Sequence, residues 1–224
     1  MFSSRLRALN SSIGQKLLIG TTGFLLFLYL IVHIAGNLMV FGGPDFFNEY
    51  SHTLLSNPLI VPIEIGLLLI FLLHIYKTVA MYLANQKARP AKYVTRKRAG
   101  PPSRKTFAST TMILSGLWLL MFVIIHVRSF KFGADYERGG MRDLYRVEME
   151  NFHSPFAVLF YLVSLLLVGS HLWHGVSSSM QSLGIDHPRW TPRILTIGRA
   201  AAVLISGGFL VILFWAHVMA RQPH

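Results

Sequence analysis

The 224-residue chain contains no cysteine. Disulfides, cysteine-ligated iron–sulfur clusters and thioether-attached c-type haem are therefore excluded within it. Charge is scarce too: 13% of residues are charged and 53% are hydrophobic, which argues against a soluble domain. Acids are scarcer still, 9 against 21 lysines and arginines, for a formal charge of +12. Such an excess can mark a nucleic-acid binder. Here the bases sit between apolar runs, where membrane topology accounts for them, and no nucleic-acid partner is expected. No flavin or nucleotide motif, internal repeat or matched pair of broken helices is evident. No small-residue cleavage site follows the first apolar run within a signal peptide's length, so Met1–Gln15 reads as a retained polar tail.

What is abundant is apolar sequence. Five runs approach or exceed the ~20 residues that a bilayer-crossing helix needs: about 17–41, 59–83, 107–130, 155–183 and 197–220. The expected fold is an all-α integral membrane protein, one transmembrane domain over 1–224, whose first four helices form a bundle. The 42–58 connection reads as a turn plus a short surface segment, and a Pro-containing turn, Asp186–Arg193, precedes the fifth span.

Loop charge sets an orientation. The tail has Arg5, Arg7 and Lys16; the 85–105 loop has Lys87, Arg89, Lys92, Arg96, Lys97, Arg98, Arg104 and Lys105 without an acid. The 42–58 connection has no base, and 131–153 is net acidic. The N-terminus is thus expected in the cytoplasm and the C-terminus outside.

Each of the first four spans carries a histidine within hydrocarbon, where imidazole nitrogens find no water. His33 and His126 lie roughly 12 Å and 6 Å below the outer boundary, and His74 and His171 roughly 14 Å and 18 Å from the inner one. They sort into an outer pair, His33 with His126, and an inner pair, His74 with His171, each joining non-consecutive helices. Two imidazoles facing each other across a bundle can hold a haem iron axially and leave no site for oxygen. Zinc would want four ligands. A satisfied interhelical hydrogen bond is the bland alternative for any one histidine. His174 lies on the same stripe as His171, Ser178, Gln181 and Ser182, so either histidine can be the ligand, and His174 can instead bond a propionate. Lys77 and Arg128 are placed to neutralise propionates or simply to snorkel. Gly36, Gly116 and Gly175 would let a flat ring approach. Glu64, an intramembrane acid, is a candidate proton acceptor for a quinol on the outer side, or a water-facing helix end. Trp215 and His217 read as interface anchors.

These residues give the chain its resemblance to a family, carried by the opening Ser-Ile-Gly-Gln-Lys, Ile31-Val32-His33-Ile34-Ala35-Gly36-Asn37 and Leu73-His74-Ile75-Tyr76. Ile125-His126-Val127-Arg128, Gly140-Met141-Arg142-Asp143-Leu144-Tyr145 and Ser170-His171-Leu172-Trp173-His174-Gly175 continue it. The chain resembles the cytochrome b membrane anchor of succinate:quinone oxidoreductases, the succinate dehydrogenase and fumarate reductase group, in its single-polypeptide, dihaem form. The resemblance implies a bacterial cytoplasmic membrane, two b haems on His33, His74, His126 and His171, and a quinone, usually menaquinone. It also implies a flavoprotein and an iron–sulfur subunit docked on the cytoplasmic face, the latter against the basic 85–105 loop. This chain would react with quinone and perform no dicarboxylate chemistry. The alternatives are a dihaem quinol-oxidising anchor of another respiratory enzyme, a proton-conducting transporter without haem, and a structural assembly factor.

Overall fold

The computed structural model describes residues 11–88, 111–185 and 187–222. Arg5, Arg7, the basic segment from Arg89 to Lys105, Asp186 and the first residues of the third run lie outside the described residues.

Five helices are long and apolar enough to cross a membrane. They are α1 (Ser12–Asn37), α3 (Ile60–Lys87), α4 (Met112–Phe130), α6 (Pro155–Ser182) and α7 (Thr191–Met219). Large apolar side chains such as Leu69, Ile124, Leu166 and Leu204 are exposed on them, as a lipid-facing surface requires. The protein is an all-α integral membrane protein. Two shorter helices, α2 (Pro44–Leu55) and α5 (Leu144–His153), and a two-residue hairpin of β1 (Glu137–Arg138) with β2 (Met141–Arg142) complete the described elements.

The chain marks its own helix starts. Ser11 Oγ accepts from Gly14 N–H at the head of α1, and a proline sits in the first turn of α2, α6 and α7, where no backbone N–H is needed. At its far end α1 tightens into a 3-10 segment, Leu38–Gly42. Gly43 then turns the chain at φ +88°, a left-handed conformation that glycine alone adopts freely, and Pro44 opens α2. The 42–58 connection is therefore mostly helix. Its buried residues Phe47, Asn48 and Ser51 form one face, a pattern too short to stand out beside the spans.

The first four membrane helices close a ring in which α1 packs on α3 and α6, and α4 packs on α6 and lightly on α3. Thus α1 faces α4, and α3 faces α6, across diagonals. Helix α7 lies outside the ring against α6 and α1. The dry core is displaced toward that side: Phe27 of α1, Val168, Leu172 and Val176 of α6, and Ala202 and Ile205 of α7. Helix α3 contributes no buried residue. Its inward stripe of Glu64, Leu67, Phe71, His74, Thr78 and Met81, spaced alternately by three and four, is only half covered by protein.

One end of the bundle is capped by α2, the hairpin and α5. Asn48, 1% exposed, donates from Nδ2 to Asp143 Oδ1 at 2.8 Å and accepts from Tyr145 N–H at 3.0 Å. Asp143 also caps α5, accepting from Arg146 N–H at 3.0 Å. The Arg142 guanidinium donates to the carbonyls of Phe130, Lys131 and Ala134, closing the C-terminal end of α4. His217 donates from Nδ1 to the Phe152 carbonyl at 2.6 Å, tying α7 to α5. Asp143→Ala removes a cap and strands the Asn48 amide, so it should cost about 3 kcal/mol. Chemical unfolding in detergent measures this, and a loss below about 1 kcal/mol would rule out the network as the cap's anchor.

Candidate functional site

The diagonals bring the four intramembrane histidines into two layers. Near the capped end, His33 of α1 and His126 of α4 have ring centroids 5.9 Å apart and planes at 89°. Toward the other end, His74 of α3 and His171 of α6 are close enough for their charges to interact. All four rings are half-buried.

Hydrogen bonds orient the inner pair. His74 Nδ1 lies 3.0 Å from Thr22 Oγ1, and the Thr22 hydroxyl has already given its proton to the Leu18 carbonyl at 2.6 Å. With that proton engaged, Oγ1 is placed to accept a hydrogen from Nδ1 of His74. His171 is placed alike: its Nδ1 is 3.1 Å from Ser115 Oγ, which also lies 3.1 Å from the Met112 carbonyl. In a neutral imidazole the other nitrogen, Nε2, then holds a free lone pair. Histidines that ligate metals are fixed in this way, by a partner on the second nitrogen. Small residues stand beside both rings. A Cβ on Gly23 would meet His74 Cε1 at 3.1 Å, and one on Gly116 would meet His171 Cε1 at 3.7 Å.

The outer pair is held differently. His126 Nδ1 lies 3.3 Å from the Tyr161 hydroxyl, with Phe122 and Phe130 flanking the ring at 5.6 and 5.1 Å. His33 stacks on Tyr29 at 5.3 Å with planes 15° apart and meets Phe209 at 5.5 Å. Its Nδ1 is 3.4 Å from Asn37 Nδ2, which donates to the His33 carbonyl at 2.8 Å.

The remaining candidates fall in several places. His174 is half-buried one turn beyond His171, and among the described residues no side chain hydrogen-bonds its ring. His171, with its hydroxyl partner and its place opposite His74, is the better-placed ligand. Lys77 is half-buried, with Nζ 5.5 Å from the Tyr76 centroid. Arg128 is exposed and donates to the Phe132 carbonyl beyond its own helix. Glu64 forms an ion pair with Lys131 at the end of α4, and its charge reaches Tyr29, the residue stacked on His33. Of the three candidate glycines only Gly116 faces a histidine. Gly36 lies under the Tyr50 hydroxyl, and Gly175 has open space beside it.

Sequence reading missed Thr22, Ser115, Tyr29, Tyr161 and Lys131, although a signal was present for the first two. Thr22-Gly23 precedes His33 by eleven residues, and Ser115-Gly116 precedes His126 by the same eleven. Helices α1 and α4 thus repeat one pattern: a hydroxyl and a glycine for the inner layer, then three turns later a histidine for the outer layer. A second correspondence follows on the partner helices. Glu64 precedes His74 by ten residues and Tyr161 precedes His171 by ten, which sets the acid and the phenol at the same depth. Such a shared spacing is not a sequence repeat, and two polar residues within apolar filler go unnoticed until contacts single them out.

Among the described residues, no group of three or more His, Cys, Asp or Glu side chains could hold a metal ion. Two facing imidazoles suit a metal that brings its other ligands with it. No protein-family model, no curated protein and no solved structure matches this chain.

Proposed function

We propose that the chain is a dihaem cytochrome b that carries electrons between a cytoplasmic flavoprotein/iron–sulfur pair and membrane quinone. The observation that carries this reading is the hydroxyl beside Nδ1 of each inner histidine, Thr22 at His74 and Ser115 at His171, which leaves Nε2 as the nitrogen a metal would take. Metal–nitrogen bonds of about 2 Å, with roughly 1 Å more to each ring centre, set facing centroids about 6 Å apart; His33 and His126 stand at 5.9 Å. The half-covered inward stripe of α3 also suits an apolar ring system held between helices. His33 and His126 would hold the outer haem and His74 and His171 the inner one, about 16 Å apart along the bundle. Bis-histidine haem lacks an open axial position and supplies one-electron transfer.

The chain's own groups would handle binding and protons. Glu64 sits at the depth of the outer pair, held by Lys131 across the α3–α4 side of the bundle. A quinol releases two protons on oxidation, and this carboxylate is placed to accept one. Tyr29 links that acid to His33. At the uncapped end, the described charges include Lys16, Lys87, Arg189 and Arg193 without an acid, which favours a cytoplasmic location for that end. The partner subunits would dock there, attracted by its positive charge. The choice of succinate and fumarate as the partners' substrates rests on the family resemblance of the histidine segments.

A dithionite-reduced minus oxidised spectrum with pyridine-haemochrome quantification tests the reading. About two b haems per chain are expected from the two histidine pairs. A folded, haem-replete preparation with none would return the histidines to packing or proton relay.

A further inference from the structure

We propose that Glu148 is the proton partner of the outer histidine pair, taking up a proton when an electron arrives there and releasing it when the electron leaves. This rests on the dihaem reading above. The geometry begins with α5, which lies across the capped end and packs on α6 and α7. Tyr145, Glu148 and Phe152 share one face of that helix, at offsets of three and seven. Phe152 meets the Tyr161 ring of α6 edge-on at 5.0 Å, and Tyr145 meets Trp215 of α7 at 6.3 Å. Glu148 enters the protein between these two contacts and is 4% exposed. Its charge is felt at the Tyr161 hydroxyl, which itself lies 3.3 Å from His126 Nδ1. One phenol separates a buried carboxyl from a haem-ligand candidate.

Among the described residues, no cation pairs with this carboxyl. On its own helix Arg146 is engaged by Glu150 at 2.8 Å, while Asp143 and Tyr145 carry no positive charge, and His153 is exposed. From α7 the neighbouring titratable group is His217, held by the Phe152 carbonyl. From α6 it is Tyr161. From α4, Arg128 and Lys131 turn to the Phe132 carbonyl and to Glu64, and from α2 the buried Asn48 is neutral. Burial pushes the Glu148 carboxyl up to about 8. It therefore exchanges protons near neutral pH.

The coupling is electrostatic. A buried negative charge favours the oxidised, more positive iron, and protonation removes that preference. A quinol gives two electrons and two protons on becoming quinone: the outer group would take the electrons one after the other, with one proton going to the Glu148 carboxylate and the other to Glu64. On reoxidation the electron passes to the next acceptor and the proton to water at the capped face.

Spectroelectrochemical titration of the purified full chain, at pH values on both sides of about 8, tests this. The potential of one haem should fall as pH rises through that region, while the other haem holds. In Glu148→Gln the first haem should keep its low-pH potential throughout. A pH dependence unchanged by Glu148→Gln overturns the proposal while leaving the dihaem reading intact; a wild-type chain without haem overturns the reading itself. If Glu148→Gln does not fold, the reduced-minus-oxidised infrared spectrum of the wild type decides. A protonated-carboxyl band should grow on reduction at pH near 8, and its absence overturns the proposal.

Discussion

On the dihaem reading, His74→Ala should halve the haem content of the purified chain and leave the His33/His126 layer loaded. The inner metal would lose one of only two protein ligands, and no other described histidine on α3 can replace it. Removing even a partner hydrogen bond from a metal-bound histidine weakens affinity by about 10–100-fold, and removing the ligand costs more. His171→Ala should behave like His74→Ala. His174→Ala should retain both haems, because its ring lacks the hydroxyl that fixes His171. Pyridine-haemochrome quantification on the three variants reads the result. Two haems in His171→Ala and one in His174→Ala would move the ligand by a turn; two in His74→Ala would dissolve the inner layer.

The stability of the wild type relative to Glu148→Gln should fall as pH rises from about 4.5 to about 8 and then level off. Its folded carboxyl is raised from 4.5 to about 8 by burial, so the folded state holds a proton that the unfolded chain has lost. A raised folded value means stability is fully present below the unfolded value and is lost as pH rises through the folded one. At about 1.4 kcal/mol per unit, the full loss is on the order of 5 kcal/mol as an upper bound. Glu150 acts in the opposite sense on the acid side. Its hydrogen bond from Tyr136, then that from Arg146, lowers it, but the group is exposed and carries little weight. Thermal unfolding of wild type and Glu148→Gln across this range is the measurement. The variant should lack the fall that Glu148 causes and gain on the wild type as pH rises to about 8. Equal slopes in the two proteins would assign the dependence to other groups.

Much of the architecture was legible because lipid imposes a coarse rule. A segment that crosses hydrocarbon must satisfy its backbone internally, so apolar runs of sufficient length become helices whatever their detailed order. The five spans follow from that, within a few residues at each end. The layers of His33 with His126 and His74 with His171 were legible for a related reason: depth in a helix is residue count times rise. Outside the bilayer the rule lapses. The 42–58 and 131–153 connections contain α2 and α5, short helices held by the Asn48–Asp143 contact between residues far apart in sequence. Nothing local announces such a contact.

The roles of single side chains divide along the same line. By itself the sequence determined that this chain lives in a bilayer, that it crosses five times, and that four imidazoles lie at two depths. Those are properties of hydrophobicity and spacing along one helix, which need no knowledge of neighbours. Tertiary structure decided which hydroxyls stand beside Nδ1 of His74 and His171, because Thr22 and Ser115 come from adjacent helices. It also gave His171 the Ser115 hydroxyl as a neighbour, while His174, three residues on along the same stripe, faces other surroundings. It turned Glu148, one charge in a mixed loop, into a buried carboxyl beside Tyr161. Rotation about helix axes and the docking of α5 on the bundle are set by packing between distant segments, and only the folded chain contains that information.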